Sequence, residues 1–232
     1  MGFSDSHHFR KMLAGVCMVL GPVFALASFV VSPALHTKVG DQLVSYAGHP
    51  DRTLLSGLFA LAGVALVIGG TLGLMHMLRE REVGYGLLGG VAAMVGLLCT
   101  MASIGMSLVF WAMVKSGVQP ADVTAAHKVT HAAATMIPLV IMPLLVGVGY
   151  AVLSVGLVRA RAVDWWMALA LTAGVVCICI SGPAASVALG IVGSAIFLVG
   201  SGAIGLMVLR ETDADWEHTP EYRGFRPAAG MR

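Results

Sequence analysis

Four histidines are the residues whose type and spacing best suit a chemical role. His127 and His131 are four residues apart, so on a helix they share one face. Imidazole is the commonest metal ligand, and this pair could chelate one zinc, copper or haem iron with His36 or His49 as a further ligand. Lys128 stands where a zinc-protease motif carries glutamate, which excludes that class. The alternative interpretation is that these histidines are hydrated residues at helix ends.

Three prolines and one tyrosine could border a ligand pocket. Pro22, Pro138 and Pro143 each lie inside a long apolar stretch. Proline kinks a helix and frees backbone carbonyls, which can open a cavity between helices. Tyr150 follows two of these prolines, and a phenol in apolar surroundings needs a hydrogen-bond partner. The four residues predict a pocket, although proline is also tolerated in membrane helices without any function.

The remaining sequence carries no reaction signature. Its acidic residues are confined to loops and the two ends of the chain, so neither a Ser-His-Asp arrangement nor an intramembrane carboxylate relay is expected. No phosphate-binding loop of the Walker type occurs. The net charge is +2 without a long basic run, which argues against nucleic acid as a partner. We therefore do not expect an enzyme, and the sequence requires no cofactor.

Composition places the chain in lipid. Of its 232 residues, 58% are hydrophobic and 11% are charged, with a mean hydropathy of +0.88. Soluble domains carry about 25% charged residues, so this chain cannot cover a water-facing surface. Its four cysteines all lie in apolar runs and form no CxxC motif or disulfide framework. The lipid bilayer is therefore the predicted partner.

The apolar stretches predict an all-α membrane protein with a bundle of about six transmembrane helices. A crossing needs about 20 mostly apolar residues, and lipid admits only structures that satisfy their own backbone hydrogen bonds. The six predicted spans cover residues 12–32, 54–78, 85–114, 132–158, 165–181 and 185–209. The break at residues 181–183 leaves five crossings as an alternative.

Basic residues predict the orientation. With the N-terminus inside, ten of the fourteen Lys and Arg residues fall on the inner side, and each short inner turn holds an Arg-x-Arg sequence. Both termini are therefore predicted to be cytoplasmic, with residues 1–11 as a short leading segment and residues 210–232 as a mostly disordered tail. The outer loop at 33–53 spaces Val39, Leu43 and Tyr46 like one face of a short surface helix.

Several features together resemble a group of bacterial proteins. They are a short basic N-terminus, an outer loop that ends in the polar stretch 49–52, arginine-rich inner turns and a glycine-rich third span. In this the chain resembles the uncharacterised multi-pass integral membrane proteins of high-GC bacteria. The resemblance covers most of the chain in style and has no diagnostic motif. It implies the fold class only and no activity, and the location we expect for the chain is the cytoplasmic membrane of a bacterium.

Three functions remain open at this point. The first is binding or passing a small or lipophilic molecule between kinked helices. The second is a structural or assembly subunit, or a homo-oligomer, that packs through small-residue faces such as Gly86 with Gly90 and Ser201 with Gly205. The third is a metal or haem protein that uses the outer histidines. A cavity bordered by the prolines and Tyr150 would favour the first function.

Overall fold

The described part of the chain is helical. The computed structural model describes residues 3–36, 39–118, 122–123, 125, 137, 142–213 and 216. Within these residues there is no strand, and the α-helices are α1 (Phe3–Val31), α2 (Val39–Gly48), α3 (Pro50–Leu78), α4 (Val83–Lys115), α5 (Leu145–Arg159), α6 (Trp165–Ser181) and α7 (Val187–Arg210). A 3-10 turn, Met142–Leu144, precedes α5.

The helix bounds follow the apolar stretches with two differences. Helix α1 begins at Phe3, so most of the predicted leading segment is helical. Helix α5 begins at Leu145, and nearly all of the predicted fourth span before Met142 lies outside the described residues. The break at 181–183 is a turn between two separate helices, since α6 ends at Ser181 and α7 begins at Val187. The short helix predicted in the first loop is present as α2.

The six longer helices form a closed ring. Each packs against its neighbours in chain order, and α7 closes the ring against α1. Adjacent helices run antiparallel: Gly21 of α1 lies against Val67 of α3, and Gly15 lies against Gly205 of α7. The short helix α2 lies outside the ring, mainly against the end of α4.

The ring has two distinct ends. At the first, which we call the arginine end, α1 begins and α7 ends, and the turns after α3 and α5 carry the Arg-x-Arg sequences. Lys11 of α1 donates to the carbonyl oxygen of Glu211 at 2.8 Å and pairs with Asp213, so the start of α1 and the end of α7 are adjacent. At the opposite end, the α2 end, α1 stops and α2 covers part of the opening.

The arginine-end half is filled by close helix packing. A Cβ added at Gly89 of α4 would lie 2.8 Å from the backbone nitrogen of Leu153 in α5. Gly86 lies against Leu78 of α3. Gly205 lies against Gly15 of α1, and Ser201 also contacts α1. The small-residue pairs predicted to mediate close packing are therefore used within this chain.

In the part of the chain that the structure describes, four helices are long and apolar enough to cross a membrane. They cover His8–Val31, Pro50–Leu78, Val83–Lys115 and Val187–Arg210, while α5 and α6 are shorter apolar helices. Large aliphatic side chains remain exposed around the outside of the ring, including Leu72, Leu88, Val148, Leu169 and Val199. Continuous apolar surface of this kind is unfavourable in water.

The first residues after α7 are docked against the ring. Trp216 is buried, and its ring stacks on His76 of α3 with centroids 4.7 Å apart. Asp213 accepts hydrogen bonds from Lys11 and His8, and these bonds lower the pKa of its carboxyl group below the ordinary value. The tail was predicted to be mostly disordered from residue 210, but its described residues make specific contacts. The aromatic Trp216 supplies the apolar area that polar neighbours lack.

Candidate functional site

A cavity of about 780 Å³ occupies the α2-end half of the ring. Every described helix contributes to its lining. On α1 and α3 the lining residues include Ala25, Gly57, Ala60 and Gly63, of which Gly57 and Gly63 also pack closely against Leu108 and Ala25. The volume is within the range of about 300–1,000 Å³ that is usual for small-molecule sites.

The cavity lining is mostly apolar and carries no formal charge. No Asp, Glu, Lys or Arg occurs among its described lining residues. The polar groups are nine hydroxyls, one thiol, one amide and one imidazole, set among aliphatic and aromatic side chains. An ionised ligand would lose its hydration here without gaining an opposite charge, which is strongly unfavourable. The site therefore suits a neutral, lipophilic molecule.

Tyr150 forms the polar part of the cavity floor, and the fully buried Thr71 is its hydrogen-bond partner. Tyr150 lines the cavity and is only 2% exposed, and its hydroxyl oxygen lies 2.8 Å from the hydroxyl oxygen of Thr71. Thr71 donates to the carbonyl oxygen of Val67 at 2.8 Å. The ring of Phe197 meets that of Tyr150 edge to face at 5.8 Å. Helices α3, α5 and α7 thus meet at this one tyrosine.

Apart from Tyr46, the other lining hydroxyls are bonded to backbone carbonyl groups. Ser56 of α3 donates to the carbonyl oxygen of Ser28 at 2.9 Å and so links α3 to α1. The rest donate within their own helix or to the residue before it, as with Ser28 to Ala25, Thr53 to His49, Thr100 to Gly96, Ser107 to Ser103 and Ser181 to Ile178. Such bonds satisfy hydroxyl protons in an apolar interior.

Helix α2 and the chain before it border the mouth of the cavity. Gln42 accepts a hydrogen bond from the backbone N–H of His36 at 2.9 Å, and both residues line the cavity. Burial raises the pKa of Tyr46, and hydrogen bonds to Ser107 and Gln42 oppose that rise. Tyr46 is therefore a neutral phenol at physiological pH. Leu43 packs in a small cluster with Phe110 and Val123, which fixes α2 over the end of α4.

The predicted pocket residues are divided by the structure. Pro143 and Tyr150 line the cavity, whereas Pro22 is fully buried and is not part of the lining. Pro138 lies outside the described residues. Of the two described prolines, therefore, Pro143 contributes to the cavity lining and Pro22 does not.

Pro22 has a packing role that the sequence did not reveal. Proline has no N–H, so it leaves the carbonyl group four residues earlier, that of Met18, without its helical donor. Ser201 of α7 donates to that oxygen at 2.7 Å. The freed carbonyl thus forms a bond between α1 and α7 rather than facing a ligand. A hydroxyl on one apolar helix and a proline on another were the available signals, but their pairing depends on the ring.

The predicted metal site falls largely outside the described residues. His127 and His131 are among the residues that the structure does not describe. His36 and His49 are exposed, and His36 borders the cavity mouth. Among the described residues there is no group of three or more His, Cys, Asp or Glu side chains that could hold a metal ion. The metal or haem site therefore stays a prediction.

Comparison of the chain with known protein families, curated proteins and solved structures finds no match to any of them.

Proposed function

We propose that this chain is a multi-pass protein of the bacterial cytoplasmic membrane, crosses it six times with both termini in the cytoplasm, and binds a neutral lipophilic molecule in the cavity. The large aliphatic side chains exposed around the outside of the ring support lipid as the surroundings of the protein. The short helix α6 lies antiparallel to the long α7, with Leu171 against Gly200 and Ile178 against Gly193. It therefore accompanies α7 through much of the same depth, which supports a full crossing.

The proposed orientation is supported by the position of the basic residues. The two Arg-x-Arg turns lie at the same end of the ring as the start of α1 and the end of α7. At the α2 end, Trp111 donates to the carbonyl oxygen of Pro50 at 2.7 Å and carries Lys115 over its ring. Arginine-rich short turns favour the cytoplasmic side, and indoles favour either interface.

Cysteine labelling tests the orientation. The four native cysteines would be replaced by alanine, and single cysteines introduced as Ala47→Cys at the α2 end and Glu80→Cys at the arginine end; both positions are exposed. A membrane-impermeant maleimide added to intact spheroplasts is expected to label Ala47→Cys, and to label Glu80→Cys only after lysis. The reverse pattern would show that the orientation is inverted, and labelling of both positions in intact spheroplasts would show that α3 does not cross the membrane.

The cavity is the observation on which the binding function depends. It is large, apolar and uncharged in its described lining, and a hydrogen-bonded tyrosine forms its floor. A structural subunit is less well supported, because the glycine and serine pairs that would form an outer face are used between helices of this chain.

Matched variants of α3 test the binding function. Ala60 lines the cavity, whereas Ala65 of the same helix is exposed on the outside of the ring. We expect mass spectrometry of protein purified in mild detergent to detect a neutral small molecule bound to the wild type and to Ala65→Phe, but not to Ala60→Phe. Metal analysis of the same samples tests the histidine hypothesis.

Two results would contradict this function. One is the absence of any bound molecule other than detergent from the wild type. The other is equal amounts of the same molecule in Ala60→Phe and Ala65→Phe, because the molecule would then be bound outside the cavity.

A further inference from the structure

The direction of the hydrogen bonds at the cavity floor can be assigned. Thr71 has one hydroxyl proton and donates it to the carbonyl oxygen of Val67, because a carbonyl can only accept. In the bond between the two hydroxyls, Tyr150 must therefore be the donor and Thr71 the acceptor. The proton of Tyr150 is thereby committed, while its oxygen keeps an acceptor lone pair.

The hydroxyl groups on the cavity walls, between the floor and the mouth, also act as hydrogen-bond donors within the protein. The lining residues Ser28, Ser56, Thr100 and Ser107 all donate to backbone carbonyl oxygens at 2.7–3.1 Å. Ser181, at the end of α6, does the same at 2.7 Å. Each of these hydroxyl protons is already used in a hydrogen bond, whereas each hydroxyl oxygen can still accept one. These walls consequently offer hydrogen-bond acceptors and few donors.

Building on the proposed function, we infer that the cavity selects a lipophilic ligand that donates a hydrogen bond, such as an alcohol, a phenol or an N–H compound. A ligand that donates can bind a wall oxygen without breaking any existing bond. At the floor and walls, a ligand that only accepts, such as a ketone or an ether, must first displace a hydroxyl proton from its present acceptor, and a buried group without a partner is costly.

The mouth of the cavity differs from its floor because it carries a side-chain hydrogen-bond donor. The side-chain oxygen of Gln42 accepts from the backbone of His36, so its amide protons remain able to donate. The amide group of Gln42 lies on α2, at the end of the cavity far from Tyr150. The donor group of the ligand is therefore expected at the floor, with its apolar body extending towards the mouth.

A matched pair of probes tests the selection. 4-Nonylphenol and its methyl ether, 4-nonylanisole, differ in whether their oxygen can donate. Binding would be titrated by native mass spectrometry of the purified wild-type protein. We expect the phenol to bind roughly threefold to tenfold more tightly, the range set by one net hydrogen bond.

Three variants locate the effect. Tyr150→Phe removes the floor acceptor and is expected to abolish most of the preference for the phenol. Thr71→Val removes the acceptor of the Tyr150 proton, so Tyr150 can donate that proton to a ligand. The ether should therefore bind more tightly, and the preference for the phenol should become smaller. Tyr85→Phe, on α4 outside the cavity lining, is the control and should keep the wild-type preference.

The outcomes separate the two proposals. Equal binding of the two probes to the wild type, together with loss of both in Ala60→Phe, would overturn the donor selection and leave the binding function intact. Tighter binding of the ether, or a preference unchanged in Tyr150→Phe, would also overturn the donor selection. Failure of both probes to bind would overturn the cavity as a site for lipophiles of this size, and the donor selection with it.

Discussion

The two halves of the ring contain similar residues but differ in how they are filled. In the arginine-end half, glycines of α4 and α5 bring the two backbones into contact, and leucines such as Leu153 and Leu157 are fully buried. In the α2-end half, Ala25 and Ala60 line an unfilled cavity, although Gly57 and Gly63 nearby still pack closely against Leu108 and Ala25. Small residues therefore produce either close packing or empty space, and the outcome depends on whether a neighbouring helix approaches.

The largest effect is expected where glycine allows that approach. Gly89→Ala would place a Cβ 2.8 Å from the backbone nitrogen of Leu153 and 2.9 Å from the carbonyl oxygen of Gly149, neither of which can move alone. Forcing α4 and α5 apart should lower the free energy of unfolding by about 3 kcal/mol. Thermal unfolding of the protein in detergent would measure the loss.

Gly105 in the same helix is the matched control. A Cβ added there meets no atom within 4 Å. Gly105→Ala should therefore keep the wild-type stability or raise it slightly, because alanine restricts the unfolded chain more than glycine. Similar losses for both variants would mean that the two halves of α4 do not differ in packing.

A smaller effect is expected from the bond that compensates Pro22. Ser201→Ala leaves the carbonyl oxygen of Met18 buried without its donor, which should cost about 2 kcal/mol. Ser194→Ala, on the same helix, removes a buried hydroxyl that has no hydrogen-bond partner among the described residues. That change should be neutral or slightly stabilising, and equal losses for the two serines would contradict the role assigned to Ser201.

The cavity floor should show an effect of about 1 kcal/mol. Thr71→Val keeps the shape of the side chain but removes the acceptor for Tyr150. Thr100→Val removes a hydroxyl that bonds only to the carbonyl of Gly96 in its own helix, as far as its described contacts go, and should cost less. Unfolding midpoints of the two variants, measured without added ligand, test the difference. A larger loss for Thr100→Val would mean that the Thr71–Tyr150 bond does not hold α3 to α5.

The smallest effect concerns the docking of the tail at the arginine end. Hydrogen bonds from Lys11, and secondly from His8, lower the pKa of Asp213 below its ordinary 3.8 in the folded protein. Its stabilising contribution is therefore complete above that value and is lost as the pH falls through the lowered pKa. The wild type should unfold at a slightly higher temperature than Asp213→Asn at pH 7, and the gap should close once the pH has fallen far enough below 3.8 to protonate Asp213 in the folded protein. A gap that persists at low pH would contradict ionic docking.

Much of the helical architecture could be predicted from the chain, because lipid allows few alternatives. An apolar stretch of about 20 residues must satisfy its own backbone, so α3, α4, α6 and α7 lie close to their predicted positions. The docking of Trp216 was missed, because a polar, proline-containing segment resembles a solvated tail until its aromatic residue meets His76.

The candidate site was less accessible to sequence reasoning. Tyr150 was identified because a lone phenol in an apolar stretch needs a partner, but the sequence could not show that Thr71 is that partner, 79 residues away. Pro22 was expected beside the cavity, although its freed carbonyl is bonded by Ser201 instead.

The sequence by itself determined the helices, their order and the absence of charge within the long apolar stretches, since these follow from composition and local backbone requirements. Tertiary structure alone decided which small residues meet a backbone and which leave space, because the same alanine or glycine is compatible with both. It also decided the hydrogen bonds between helices, such as those of Ser56, Tyr150 and Ser201, since each depends on which carbonyl or hydroxyl a neighbouring helix brings within about 3 Å. The cavity and its proposed selectivity belong to this second group.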